Sequence, residues 1–192
     1  MDRDELDVDL EELEFSLTGQ ERLDAFRARA DALSPGEFGR AEYLSYLAEF
    51  LEKADRLDDA DAAYDEALED GGSTMLHPLS GKLALAARRH DDAAVQQLTT
   101  RLWSRARSGE LGEFDHQHIG ETLEDAGHLR EALRWFTVPL SGFDPEEDVD
   151  FIPVACSNGR YRVRRALGLP HDRYDDAAAL VQEHAAERHR NS

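Results

Sequence analysis

Cysteine is nearly absent from this 192-residue chain, with Cys156 alone. A single thiol closes no internal disulfide and holds no structural zinc by itself, so a reducing, cytoplasmic setting is expected. Long apolar runs are missing too, and a membrane-spanning helix would need about 18 or more such residues. The first residues, Met1-Asp2-Arg3-Asp4-Glu5, are acidic where a secretory leader is basic and then apolar, so no leader is expected. Positive charge is scarce: 22 Lys and Arg stand against 42 Asp and Glu, a net charge of −20. A general nucleic-acid binder needs a positive surface facing phosphates. Docking on anionic lipid makes the same demand, so neither partner is expected.

What the chain has instead is helix-forming sequence. Ala, Leu, Arg, Glu and Asp dominate, β-branched residues are few, and apolar residues recur at three and four positions rather than two. Leu6, Leu10, Leu13 and Leu17 mark one helical face, closed by Thr18-Gly19. Leu23, Phe26, Ala30 and Leu33 mark the next, closed by Ser34-Pro35-Gly36. Further helices are predicted over roughly 76–89, 91–107, 113–126, 129–138, 149–167 and 173–189, with boundaries good to about two to four residues. The pattern predicts an all-α fold in one domain, residues 1–192.

Three segments, about 41–72, 74–107 and 113–140, share a spacing. The first reads Leu44, Leu47, Ala48, Leu51, then Ala60, Tyr64, Ala67, Leu68. The second reads His77, Ser80, Gly81, Ala84, then Ala93 and Gln97. The third reads His116, Ile119, Gly120, Leu123, Gly127, then Ala132, Phe136, Leu140. This spacing resembles the tetratricopeptide repeat, over roughly residues 41–140. The resemblance implies antiparallel helix pairs stacked as an α-solenoid, with capping helices at both ends. It also implies small residues, Ala60, Ala93 and Ala132, where paired helices cross. The stretch Gly159 to Pro170 is similar to the end of actinobacterial repeat proteins of the SEC-C-associated kind. That zinc motif needs several cysteines, so its zinc does not carry over.

Ligands of such arrays lie against the first helix of each pair. The resemblance therefore places Glu42, Ser45, Glu49 and Glu52, Lys82 and Leu85, and Phe114, Gln117, Glu121 and Glu124 on a concave groove. Only Lys82 suits an anion, so a basic or polar protein segment is the expected partner. Asp115, His116 and His118 are the densest candidate metal cluster, but His116 and His118 point to different helix faces. No metal and no cofactor are expected. No nucleophile has a recognisable base, so no enzyme is expected. The expected function is a non-enzymatic interaction module. The rivals are a regulatory or sensory domain for a peptide or small ligand, and an unrecognised hydrolase.

Charge is uneven along the chain. Residues 1–70 hold seven basic against 23 acidic residues, whereas 160–192 hold seven Arg against five acids. Arg160, Arg162, Arg164 and Arg165 form a basic strip. It could pair with acids of neighbouring helices, bind an anion, or meet the acidic end of a second copy in a homo-oligomer.

Overall fold

The computed structural model describes residues 2–145, 148 and 153–179. Among these the chain is helical throughout, with no strand. The order is α1 (Arg3–Ser16), α2 (Gly19–Asp31), α3 (Arg40–Lys53), α4 (Leu57–Asp70), α5 (Pro78–Arg88), α6 (Asp92–Arg107), α7 (Glu113–Asp125), α8 (Leu129–Thr137), a 3-10 turn (Val138–Gly142) and α9 (Val154–Ala166). A last helical stretch occupies 173–179. Of the helices expected over 149–167 and 173–189, the parts at 149–152 and 180–189 lie outside the described residues.

The chain forms two compact units, residues 1–107 and 108–192. In the first unit α1 opens on a reciprocal cap. Asp2 accepts from the Glu5 N–H and Glu5 accepts from the Asp2 N–H, both at 3.0 Å. Leu6, Leu10, Leu13, Leu23, Phe26, Ala30, Leu44, Leu47, Ala48, Leu51, Ala60, Ala63 and Tyr64 share one buried cluster. Removing a ring such as Phe26 from water contributes roughly 1.5–3 kcal/mol. Polar groups lock the same helices together. Arg29 grips Asp9 with two bonds of 2.8 Å, and the Tyr43 hydroxyl donates to Asp9 at 2.6 Å. The arginine bonds hold the Asp9 carboxyl below its ordinary value.

Four turns close in one way. After α3, α5, α7 and α9 the chain enters the left-handed region at Asp55, His90, Gly127 and Gly168. The next N–H then reaches back over five residues: Arg56 to Leu51, Asp91 to Ala86, His128 to Leu123, Leu169 to Arg164. This satisfies carbonyls that a helix end leaves open. These turns align the first three pairs by geometry, and the alignment corrects the expected register of the middle one. Five residues beyond the turn stand Ala60, Val95 and Ala132, all buried. Ala93 is exposed, so Val95 takes the expected crossing position. Nine residues beyond stand Tyr64, Thr99 and Phe136, so Thr99 replaces Gln97. Eleven residues before stand Leu44, Leu79 and His116, so Leu79 replaces His77. His77 instead caps α5, its Nδ1 accepting from the Leu79 N–H at 3.2 Å.

In the second unit Phe136 sits between two glycines. A β-carbon on Gly120 would come within 2.6 Å of its ring, and one on Gly159 within 2.5 Å. Trp135, Ile119, Leu123, Ala132, Cys156 and Val163 are buried with it.

Candidate functional site

The candidate site lies on α3. Glu42, Tyr46 and Glu49 are spaced by four and three residues, so they follow one stripe of the helix. Glu42 is fully buried and accepts from the Met75 N–H at 2.8 Å. Ser45 is buried as well, its hydroxyl donating to the Ala41 carbonyl at 2.9 Å. Both were expected on the open groove, and both instead serve the interior. The cause for Glu42 is the free Met75 amide beside it, which makes burial of a carboxylate tolerable.

Glu49 and Glu52 remain half-buried at the surface. Their cation distances set them apart from the acids of this unit that hold a close ion pair. Among the described residues the nearest ion pair of Glu49 is Lys53 at 3.9 Å, and that of Glu52 is Arg88 at 3.9 Å. By contrast, Glu66 meets Arg27 at 2.7 Å and Asp59 meets Arg56 at 2.7 Å. Burial pushes the Glu49 carboxyl above its ordinary value, helped by Glu14, Glu52 and Glu42. Burial likewise raises Glu52 and Glu42. The Tyr46 hydroxyl is pushed up to about 12, first by burial and then by Glu42, Glu49, Glu14 and Asp7. Asp7, which pairs with Arg3 at 2.9 Å, and Glu14 of α1 lie near enough to act on these groups, and together they make a negative strip with a tyrosine at its centre.

Lys82 was expected to offer the groove its one cation. It does not, because it donates to Asp61 at 2.8 Å and to Asp65 at 2.5 Å on α4. The corrected register explains this. Lys82 stands eight residues before its turn, level with the core-side Leu47 and Ile119, whereas Ala84 is level with Glu49. Leu85 is buried, which removes it from the groove.

The second unit handles its acids differently. Gln117 donates to Glu121 at 3.1 Å. Glu124 receives two bonds from Arg162, at 2.8 and 3.2 Å. Phe114 is exposed at 63%. The arginine strip is divided among neighbours. Arg160, 7% exposed, bonds Asp172 at 2.7 Å and Asp175 at 3.4 Å, and Arg164 joins Asp175 at 3.2 Å. Arg165 lies over the Tyr161 ring, 5.7 Å from its centroid. Arg160 and Arg164 thus meet acids 8 to 15 residues later in the chain, and Arg162 meets one 38 residues earlier, which is the pairing with acids of neighbouring helices.

His116 lies tilted against Trp135 with ring centroids 5.2 Å apart, and burial lowers the basicity of both His116 and His118. Among the described residues no group of three His, Cys, Asp or Glu is placed to hold a metal ion. Cys156 is buried, which pushes its thiol up to about 12, so it is poor as a nucleophile. No described helix is long and apolar enough to cross a membrane. Comparison of the chain with family models, with characterised proteins and with solved structures finds no match.

Proposed function

We propose that this chain is a non-enzymatic interaction module, built of tetratricopeptide-like helix pairs, that takes a basic protein segment on the negative strip of α1 and α3. The observation that carries the reading is the state of Glu49 and Glu52. Each is half-buried, raised in pKa, and 3.9 Å from its nearest cation among the described residues. A carboxylate in that state gains from an incoming ammonium or guanidinium, which restores the charge compensation that burial took from it. Tyr46, between Glu42 and Glu49 on the stripe, stacks one ring face near Phe26 and leaves the other as a place for such a cation to rest. The neutralised Lys82 removes the one group that would have favoured an acidic ligand. The four like-closed turns, and the close approach of Tyr64 to Gly81 and of Phe136 to Gly120 and Gly159, support the repeat reading.

Selection from a peptide library of mixed charge tests the proposal. Enrichment of sequences with Lys or Arg, lost in Glu49→Gln with Glu52→Gln, is the expected result. Enrichment of acidic or purely apolar peptides would refute it.

A further inference from the structure

α1 carries a second surface that the negative strip does not use. Its core face is Leu6, Leu10 and Leu13. On the opposite side, by helical rotation of 100° per residue, lie Asp4, Val8, Glu11, Glu12 and Phe15. All five are exposed, Val8 at 65% and Phe15 at 79%. An apolar pair bordered by three carboxylates is an amphipathic docking face, and Phe15 is covered by none of the described residues.

The same unit holds a groove of opposite character. It lies between α2 and α3, has a volume of about 320 Å³, and is lined by Gly19, Gln20, Arg22, Leu23, Phe50, Lys53, Ala54 and Arg56. Three cations and no carboxylate line it, on a chain whose net charge is −20. Its floor is apolar, with the Arg22 guanidinium 4.4 Å and the Lys53 ammonium 4.5 Å from the centre of the Phe50 ring. Lys53 keeps 60% of its side chain exposed, and Arg56 keeps 44% although it pairs with Asp59 at 2.7 Å, so both can reach a ligand.

We infer that this groove receives the outer face of α1 from a second copy of the chain. Phe15 and Val8 fill the apolar floor, and Glu11 and Glu12 meet Lys53 and Arg56. The occupant is fixed by complementarity of two kinds at once, an apolar pair for an apolar floor and carboxylates for cations. Association should weaken as salt rises, because exposed charges are screened over roughly 10 Å at 0.1 M.

Sedimentation of the whole chain tests this at low and high ionic strength. The wild type should associate at low salt and separate at high salt. Phe15→Ser should weaken association by about tenfold or more, the usual effect of removing an aromatic anchor. Two reversed proteins complete the test, one with Glu11→Lys and Glu12→Lys, the other with Lys53→Glu and Arg56→Glu. Neither should associate alone, and an equimolar mixture should, because each then offers the charge the other lacks. Circular dichroism confirms that the variants remain helical, as substitutions of exposed residues should. A wild type that stays monomeric at every attainable concentration in low salt overturns the inference. So does association that survives Phe15→Ser unchanged, or reversed proteins that fail to associate on mixing.

Discussion

The ring of Tyr64 on α4 lies directly on the backbone of Gly81 on α5, so that a β-carbon at Gly81 would overlap the ring. Alanine favours a helix over glycine by about 1 kcal/mol, which would make Gly81→Ala stabilising in isolation. Overpacking a core costs about 1–3 kcal/mol, and Tyr64, 2% exposed, has no room to retreat. Gly81→Ala should therefore lower stability in urea unfolding. Tyr64→Leu in the same chain should recover part of the loss. A stabilised single variant would show that the helices do not approach this closely.

The left-handed turns give a prediction of opposite sign. Asp55 has φ of 62° and His90 has φ of 56°, a region that costs a residue with a β-carbon roughly 1–2 kcal/mol. His90→Gly should stabilise by about 1 kcal/mol. Asp55→Gly should gain less, because Asp tolerates this region and Asp55 also pairs with Arg88 at 3.0 Å. Thermal melts of the two variants check the order.

Arg160 is the keystone of the last turn. It and Arg164 hold Asp172 and Asp175, and Asp172 caps the stretch 173–179 by accepting from the Tyr174 N–H at 3.1 Å. Removing one partner of a buried ion pair costs about 3–5 kcal/mol, because the other charge is left without compensation. Arg160→Met should lose about 3 kcal/mol, the low end, since Arg164 remains. Arg160→Lys should recover little, for an ammonium cannot span both carboxylates as the guanidinium does. A loss below about 1 kcal/mol in denaturant unfolding would assign the pair a minor role.

Mild acid should act on the two units in opposite senses. His116 and His118 sit below their ordinary 6.5 because of burial. The unfolded chain then takes up their protons first, and stability of the second unit is lost as pH falls below 6.5. His171 shifts the other way, but it is exposed and its pairing with Asp176 is screened. Glu42, Glu49 and Glu52 sit above their ordinary 4.5. The folded state takes up these protons first, so the first unit gains as pH falls from neutrality toward 4.5. Hydrogen exchange at pH 7 and pH 5, corrected for intrinsic rates, should show protection falling in α7 and rising in α3. Equal changes in both would contradict the assignment.

How far the sequence could be read depended on which side chains mark a helix pair. Pairs one and three announce themselves, since a small residue at the crossing and an aromatic four residues on appear as Ala60 with Tyr64 and Ala132 with Phe136. In the middle pair Val95 and Thr99 stand there instead, and an apolar pattern of period near 3.6 gives no other anchor. The signal that fixes the register is Pro78, which opens α5 at its first turn with His77 as cap. Burial of Glu42 could not be read at all, because it depends on an amide 33 residues away at Met75. The pairing of Arg160 was hidden in the same way, across a turn.

The negative strip on α3 is the centre of this account, and calorimetry on one lysine- and arginine-bearing peptide tests it most directly. Titrations against the wild type and against Glu49→Gln with Glu52→Gln, at low and high salt, give four numbers. The account predicts measurable binding at low salt, weaker binding at high salt, and a loss in the double variant of about tenfold or more. Equal affinity for the wild type and the double variant, or no binding to the wild type at low salt, would contradict it.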